Sequence, residues 1–372
     1  MNRIDLQQAI SFCINQVNIG LKDFGGKYPS GGSVDCIYPI QENVGWTNGF
    51  WTGMVWLAYE FTGDERYKKE GLAHAADFLR RITDRVEVEH HDMGFLYSPS
   101  CVAAYKLTGD ENAKKAALLA ADNLKSRFVE KGQFIQAWGK LGAKDNYRLI
   151  IDCLLNLPLL FWASDVSGDM TYKEAALKHI DTTVDVIIRE DGGTYHTYFF
   201  NPDTGLPDHG VTHQGYSDDS IWARGQAWGI YGLALAYKIT KRQDIFEKFM
   251  KVTKVFLEHL PSDDVPAWDM IFTDTETQKD SSAGVIAVCG ILEMNKWCEL
   301  PEYIMKKAYD MMAALQPDYF TADIPNSNGI LKHTVGAMPQ KQCIDECSIW
   351  GDYYYMEALM RIKNPDWDSY WI

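Results

Sequence analysis

One aspartate near the start of a long apolar run is the first candidate for chemistry in this chain. The run spans residues 149–162, and Asp152 is its only charged residue. A carboxylate is costly to bury, so a carboxyl group in this setting is expected to be paired, protonated or functional. Burial raises the pKa of a carboxyl group, which suits it to donate a proton near neutral pH. The alternative is that Asp152 only caps the helix that follows it.

Tryptophan, histidine, aspartate and arginine recur in short segments between stretches of helix-like sequence. Flat aromatic faces and fixed polar groups suit a carbohydrate, because its ring faces are apolar and its rim carries hydroxyls. A single tryptophan is better explained as a core residue, but a set gathered at one end of a fold favours a binding pocket. The segments are 45–51, 90–95, 136–139, 149–162, 195–198, 210–215, 222–228, 267–269 and 349–355.

A second carboxylate, Asp92, follows the pair His90 and His91. Two neighbouring carboxylates push their pKa values apart, and enzymes that hydrolyse glycosidic bonds use such pairs. We therefore predict that Asp92 faces Asp152. No metal is expected at this triplet, because adjacent side chains point in different directions and no His-Glu-x-x-His pattern accompanies it.

Arg224 and Trp228 are four residues apart and share one face of a predicted helix. The arginine could pair with a carboxylate of a ligand while the tryptophan stacks on a sugar ring. The alternative is a structural cation–π pair in the wall of the fold. Both interpretations are compatible with the spacing.

An internal repeat predicts the elements that position these residues. Gly63-Asp64, Gly109-Asp110 and Gly168-Asp169 each follow an apolar helical pattern and precede a charged one. Glycine suits the left-handed residue that ends one helix, and aspartate caps the first turn of the next. Such junctions predict tight turns between antiparallel helices.

Six apolar helices alternate in this pattern with six amphipathic ones. A helix that is apolar all round must be enclosed, whereas an amphipathic helix covers a core. We therefore predict an all-α fold, an (α/α)6 toroid of six helical hairpins, in place of an open solenoid with polar end caps. Long connections then gather at one end of the ring, where functional residues are expected. The inner helices are predicted at 48–62, 94–107, 150–165, 221–239, 282–298 and 343–361, and the outer ones at about 4–22, 65–82, 111–128, 171–189, 243–260 and 301–315.

Composition and charge narrow the class of protein. The chain has 372 residues, of which 46% are hydrophobic, and we interpret residues 1–372 as one catalytic domain. Its net charge of −15 argues against nucleic acid and anionic membranes as partners. The sequence has neither an apolar run of membrane-spanning length nor a signal-peptide pattern at its first residues. Eight scattered cysteines without a Cys-x-x-Cys pair indicate reduced thiols in a cytoplasmic protein.

The same segments resemble the unsaturated glucuronyl hydrolases of glycoside hydrolase family 88. The resemblance implies the (α/α)6 fold and a cytoplasmic enzyme without a cofactor. It also implies substrates that polysaccharide lyases release from hyaluronan, chondroitin and related polymers, namely short oligosaccharides ending in a 4,5-unsaturated uronic acid. The matching stretches follow one another along nearly the whole chain, at 46–51, 90–97, 135–139, 151–158, 212–215, 224–229 and 350–355.

The resemblance also implies roles for individual residues. Asp152 resembles the general acid and base of the family, and Asp92 resembles its partner carboxylate. The implied reaction is hydration of a vinyl ether, in which Asp152 protonates C4, water adds at C5, and the ring opens to release the next sugar. The substrate-binding residues predicted on this basis are Trp46, His91, Trp138, His196, Gly210, Thr212, Gln214, Arg224 and Trp228.

The chain departs from the family pattern in two places. Some relatives have a tyrosine in the stretch corresponding to 331–336, and relatives favouring 6-sulfated sugars carry a Ser- and Lys-rich C-terminal segment that 366–372 lacks. Two alternatives remain at this point. One is an unsaturated rhamnogalacturonyl hydrolase on the same toroid, acting on pectin fragments. The other is a non-catalytic sugar-binding toroid or an isoprenoid cyclase, for which 217–220 is the one acidic motif.

Overall fold

The computed structural model describes residues 4–371, and most of them lie in helices. Helices that are buried almost all round alternate along the chain with helices that bury one face, as predicted. In chain order the helices are α1 (Leu6–Phe24), α2 (Asn48–Thr62), α3 (Glu65–Thr83), α4 (Met93–Tyr97), α5 (Ala103–Thr108), α6 (Glu111–Ser126), α7 (Cys153–Asn156), α8 (Pro158–Ser167), α9 (Met170–Val186), α10 (Ala223–Thr240), α11 (Gln243–Glu258), α12 (Ser281–Trp297), α13 (Glu302–Ala314) and α14 (Ile349–Lys363).

The inner helices close into a ring. Helix α2 packs against α4, α4 against α7, α7 against α10, α10 against α12, and α12 against α14. Helix α14 then packs against α2, so the order of contacts returns to its start. The amphipathic helices α3, α6, α9, α11 and α13 each pack against the inner helix that precedes them in the chain, and α1 packs against α14 and α2. This closed order confirms the predicted toroid of helical hairpins.

Three Gly-Asp turns join inner helices to outer ones, as predicted. Gly63 ends α2 in the left-handed conformation, with a φ of 71°, and the same conformation recurs at the other two turns. Asp64 then accepts a hydrogen bond from the Arg66 amide at 2.9 Å, and the aspartates of the other two turns cap their helices in the same way. These turns lie at the end of the ring opposite the long connections.

Small antiparallel sheets stiffen the long connections, which the helical pattern did not predict. Two inner helices therefore begin later than predicted: α7 begins at Cys153 and α14 at Ile349, because strands precede them. A π-helical turn at Ser98–Val102 also separates α4 from α5. The strands pair as β1 (Tyr28–Pro29) with β2 (Ile40–Gln41), β3 (Phe128–Val129) with β4 (Phe134–Ile135), β5 (Arg148–Ile150) with β6 (Thr197–Phe200), β6 with β7 (Pro207–Val211), and β8 (Thr334–Ala337) with β9 (Gln342–Glu346).

Buried arginines hold the long connections by donating to backbone carbonyls. Arg81, Arg127 and Arg224 are 2–4% exposed, and burial lowers the pKa of each guanidinium without removing its charge. Hydrogen bonds to charged groups stabilise a fold by about 1.5–3 kcal/mol each. The acceptors are the carbonyls of Gly45, Val86 and Glu87 for Arg81, of Gln136 and Gly139 for Arg127, and of Val335 and Gly336 for Arg224.

The C-terminal segment packs at the end of the ring where the inner helices finish. Trp371 stacks on Tyr354 with ring centroids 6.1 Å apart, and its indole N–H donates to Glu357 at 2.8 Å. Trp367 and Tyr370 both donate to Glu60, in the last turn of α2. The segment therefore closes the ring at the end away from the long connections. Across residues 4–371, no helix combines the length and apolarity needed to cross a bilayer.

Candidate active site

A cavity of about 460 Å³ lies at the end of the ring where the long connections gather. Cavities of this size bind small molecules, and this one mixes aromatic faces with charged groups. Eight predicted site residues line it: Trp46, Asp92, Trp138, Asp152, His196, Gln214, Arg224 and Trp228. The lining also includes residues that were not predicted as site residues, namely Gly31, Gly32, Arg148, Ile150, Thr197, His213, Trp222, Gly336, Gln342, Cys343 and Trp350.

Asp92 and Asp152 occupy equivalent places at the starts of two inner helices. Asp92 is the N-cap residue of α4 and Asp152 that of α7, yet neither side chain accepts a hydrogen bond from its own helix. Both side chains line the cavity instead. Asp152 thus holds the position of a helix cap without acting as one, which favours the functional interpretation of its place in the apolar run.

His91 lies between the two carboxyl groups. Its Nε2 is 3.3 Å from Asp92 Oδ1 and 3.5 Å from Asp152 Oδ1. The Asp92 side chain is 2% exposed, whereas the Asp152 side chain is 18% exposed. Within residues 4–371, neither ring nitrogen of His91 has a hydrogen bond of good geometry, nor has Asp152 Oδ1. The two carboxyl groups and the imidazole therefore form one compact polar cluster in an apolar surrounding.

The two carboxyl groups differ in protonation for physical reasons. Burial and the neighbouring charge of Asp92 raise the pKa of Asp152 well above its ordinary value. Burial also acts to raise the pKa of Asp92, but its interactions with His91, His90 and Arg127 outweigh burial and lower it. Burial lowers the pKa of His91 to about 4, so this imidazole is neutral at neutral pH. The pair is therefore asymmetric, because the surroundings favour the proton on Asp152 and the negative charge on Asp92.

His91, Asp92 and Asp152 are also the one group of possible metal ligands found among residues 4–371, with ligand atoms within 4.8 Å of one another. A metal ion binds carboxylates in their ionised form. Burial and the charge of Asp92 favour the protonated form of Asp152 instead. A metal ion at this cluster would therefore compete with the proton on Asp152.

Aromatic rings form two sides of the cavity. Trp46 stacks on Trp350 with ring centroids 5.4 Å apart, and Trp138 stacks on His90 at 5.2 Å. Trp228 is 2% exposed and packs against Phe95, so it forms the floor of the cavity and does not present a free ring face. Flat indole faces of this kind suit the apolar faces of sugar rings.

Arg224 is held between two tryptophans of the wall, and neither of them is Trp228. Its guanidinium carbon lies 4.6 Å from the ring centroid of Trp222 and 5.1 Å from that of Trp350. It donates to Asp280 at 2.9 Å and to two carbonyls of β8. This geometry favours the structural alternative, in which Arg224 fixes the β8–β9 hairpin beside the cavity.

Arg148 is the other cation of the cavity wall, and sequence reasoning missed it. Its guanidinium carbon lies 5.3 Å from the Phe199 ring, and its Nε is buried. Among residues 4–371 its side chain has neither a hydrogen bond nor an ion pair. Arg148 and Ile150 are two residues apart, so in a strand they share one face, and this spacing could have indicated Arg148. The predicted inner helix began at residue 150, and the strand was therefore not recognised.

His196 orders the loop beside it. Its Nδ1 accepts the backbone amides of His213 at 2.9 Å and Gln214 at 3.1 Å, and burial lowers its pKa well below the ordinary value. The neutral ring must therefore carry its proton on Nε2. The Gln214 side chain donates to the Gly336 carbonyl at 3.1 Å, so this loop is also tied to β8.

Three predicted substrate-binding residues do not line the cavity. His91 contacts both carboxyl groups but is only 1% exposed. Gly210 belongs to β7, where it pairs with Tyr198. Thr212 stabilises a turn, because its amide donates to Asp218 and its hydroxyl accepts from Gly215. The structure therefore gives these three residues supporting positions outside the cavity lining.

A carboxyl pair in the cavity of a helical toroid is compatible with a glycoside hydrolase. Residues 23–367 match Glycosyl Hydrolase Family 88, so the chain belongs to this family. It is 47% identical to the unsaturated chondroitin disaccharide hydrolase of Streptococcus pyogenes serotype M1, over 100% of this chain and 94% of that one. The crystal structure of the unsaturated glucuronyl hydrolase from Streptococcus agalactiae is similar, with a TM-score of 0.96 at 44% identity over 99% and 94% of the two chains.

A further crystal structure relates the fold to a bound sugar. An Asp-to-Asn variant of the Streptococcus agalactiae enzyme, complexed with dGlcA-GalNAc6S, matches with a TM-score of 0.88 at 40% identity. The match covers 99% of this chain and 93% of that one. The resemblance inferred from the sequence motifs is thus confirmed, together with the fold and the assignment as a glycoside hydrolase.

Proposed function

We propose that this enzyme releases the 4,5-unsaturated uronic acid from the non-reducing end of lyase-generated glycosaminoglycan oligosaccharides of the hyaluronan and chondroitin type. The observation that carries the proposal is the pairing of Asp152 with Asp92 in one cavity, with pKa values displaced in opposite directions. Relatives named for unsaturated chondroitin disaccharides and unsaturated glucuronyl groups support this substrate class.

The proposed reaction begins with proton transfer from Asp152 to C4 of the unsaturated ring. The double bond supplies the electron pair for the new C–H bond, which leaves positive charge at C5 shared with the ring oxygen. The Asp152 carboxylate then accepts a proton from a water molecule that adds at C5. The resulting hemiketal collapses, which opens the ring and releases the next sugar. One acid–base residue therefore serves both steps and returns to its starting form.

Asp92 supports this chemistry as a permanent carboxylate. Burial and the negative charge of Asp92 raise the pKa of Asp152, which favours the protonated form that can donate to C4. A carboxylate beside the ring also stabilises the positive charge that develops at C5 and accepts hydrogen bonds from ring hydroxyls. We assign contact with the sugar faces to Trp46, Trp138 and Trp350, and a hydrogen-bond donor to His196 Nε2.

The substrate carries a carboxylate at C6, and we infer that Arg148 binds it. Arg148 lines the cavity and contacts the Phe199 ring, but within residues 4–371 its guanidinium has neither a hydrogen bond nor an ion pair, whereas the other lining cation, Arg224, is bonded to Asp280 and β8. A guanidinium binds a carboxylate in a two-point, charge-assisted geometry. The inference replaces Arg224, the arginine that the helix spacing suggested for this role.

Replacing Arg148 with methionine should raise KM and lower kcat/KM by about 10- to 100-fold, because one charge-assisted hydrogen-bonded pair is lost. Steady-state kinetics on an unsaturated chondroitin disaccharide measures the change, with Arg148→Lys expected to lie between the variant and the wild type. Arg66→Met, at an arginine on α3 that pairs with Asp64, is the matched control. An unchanged KM in Arg148→Met would rule out Arg148 as the carboxylate receptor.

The substrate class is tested by offering the enzyme three kinds of disaccharide. Unsaturated hyaluronan and chondroitin disaccharides should lose the absorbance of their double bond and yield two monosaccharides, because the reaction consumes the vinyl ether. Saturated disaccharides of the same composition should remain intact. An unsaturated rhamnogalacturonan disaccharide tests the pectin alternative, and faster turnover of that compound would reverse the assignment. Binding without loss of absorbance would indicate a sugar-binding toroid.

The proposal includes a cytoplasmic location and one catalytic domain over residues 1–372. The family match over 23–367 supports a single domain. Six of the eight cysteines are buried thiols, which supports a reducing compartment. The net charge of −15 supports the expectation that nucleic acid and anionic membranes are not partners.

A further inference from the structure

One buried amide connects the two helices that carry the carboxyl pair. Asn156 ends α7, is 1% exposed and does not line the cavity. Its Oδ1 accepts the backbone amide of Phe95, in α4, at 3.0 Å. Its Nδ2 lies 3.4 Å from the carbonyl oxygen of Asp152, to which it donates. A single side chain thus contacts the backbone beside both catalytic candidates.

The bond from Phe95 fills a place that usually belongs to the N-cap residue. Phe95 is the third residue of α4, and its amide is one of the donors that lack a partner within the helix. An aspartate at the N-cap ordinarily accepts this hydrogen bond. Asp92 is the N-cap residue of α4 but makes no such bond. Asn156 therefore supplies the acceptor, and the Asp92 carboxylate remains available to the cavity.

Close packing fixes the two helices at the same point. A Cβ atom at Gly94 would lie 2.3 Å from Asn156 Cα and 2.7 Å from its carbonyl oxygen, which is far closer than real Cβ contacts. Only glycine permits this approach. The separation of α4 and α7 is therefore set by direct contact between Gly94 and Asn156, and the separation of the carboxyl groups depends on it.

We propose that Asn156 is a positioning residue for the reaction, which caps α4 in place of Asp92 and so holds the Asp92 carboxylate toward Asp152. The inference rests on the roles proposed for Asp92 and Asp152. Without an acceptor at position 156, the Asp92 side chain is the group at the N-cap that can bond the orphan amide of α4. Rotation toward that amide takes its carboxylate away from Asp152.

Replacing Asn156 with leucine, which has similar volume and no polar atoms, should lower kcat by about 100-fold. It should also move the basic limb of the pH–rate profile to lower pH. The reason is that Asp152 must be protonated to act as an acid, and its pKa falls when the charge of Asp92 moves away. Asn156→Asp keeps an acceptor for α4, so it should retain kcat within about tenfold of the wild type and should not move the basic limb downward. If Asn156 contributed only to stability, Asn156→Leu would leave both limbs of the pH–rate profile unmoved.

Asn295→Leu is the matched control, because the Asn295 side chain also accepts a backbone amide, that of Leu300 at 3.0 Å, at the other end of the ring.

Gly94→Ala is the second test if Asn156→Leu does not fold. This variant keeps every polar group but pushes α4 away from α7. It should therefore lower kcat and move the basic limb of the pH–rate profile to lower pH. Wild-type kcat, or a reduced kcat with an unmoved basic limb, would overturn the proposal. Asp152→Asn distinguishes this proposal from the proposed function. If Asp152→Asn stays active, the proposed function fails. If Asp152→Asn is inactive and Asn156→Leu is unaffected, only the role of Asn156 is refuted.

Discussion

Asp152→Asn should lower kcat on an unsaturated chondroitin disaccharide by about 100-fold or more, with a much smaller effect on KM. The amide has nearly the shape of the carboxylic acid, but it neither donates a proton to C4 nor accepts one from water. Loss of the double-bond absorbance gives the rate, and circular dichroism establishes that the variant is folded.

The pH dependence of the wild-type enzyme gives a second signature of Asp152. Activity should be present while this carboxyl group is protonated and should fall as the pH rises through its pKa, which burial and Asp92 raise well above the ordinary value. Asp185→Asn is the matched control, since Asp185 is an exposed aspartate on the outer helix α9. Turnover near the wild-type rate by folded Asp152→Asn enzyme would exclude Asp152 as the acid.

Asp92→Asn should lower kcat by about 100-fold and move the basic limb of the pH–rate profile to lower pH. Removing the Asp92 charge lowers the pKa of Asp152, so Asp152 loses its proton, and the enzyme its activity, at a lower pH than in the wild type. The measurement is kcat and kcat/KM across the pH range on one substrate. A limb displaced upward, or not displaced, would contradict the assignment of Asp92 as the charged partner.

The double variant Asp92→Asn, Asp152→Asn tests whether the two residues act as one unit. We expect it to be scarcely slower than Asp152→Asn alone, because the charge of Asp92 matters mainly through the proton on Asp152. Independent roles would instead multiply the two losses. The double-mutant cycle therefore distinguishes tuning of the acid from direct stabilisation of the developing charge at C5.

The sequence was sufficient to predict the ring, because the residues that end one helix and begin the next are neighbours in the chain. A glycine that tolerates positive φ, followed by a capping aspartate, marks the end of one helix and the start of the next, and Gly63-Asp64 behaves in this way. The alternation of enclosed and amphipathic helices then leaves few arrangements. The carboxyl pair could also be predicted from local sequence. A carboxylate inside an apolar run, such as Asp152, is costly to bury and therefore indicates a special role.

The missed features depend on contacts between segments that are far apart in the chain. Arg148 and Gln342 lie in strands whose residues also fit the start of an inner helix, so their side chains were not expected at the cavity. Asn156 finds its partner 61 residues away, at Phe95. Arg224 and Trp228 share a helix face, yet the arginine stacks on Trp222 and Trp350, because tertiary packing decides which ring it meets.

The arginines that hold the long connections donate mostly to main-chain oxygens, although Arg81 also bonds the Asn43 side chain and Arg224 the Asp280 side chain. Every residue type carries the same carbonyl, so substitutions along residues 44–46, 136–139 or 334–337 leave the main-chain acceptors of Arg81, Arg127 and Arg224 in place. Side chains facing the ligand can therefore vary through mutation while their framework persists. Descendants of one ancestral ring could in this way acquire new sugar preferences without first losing the ability to fold.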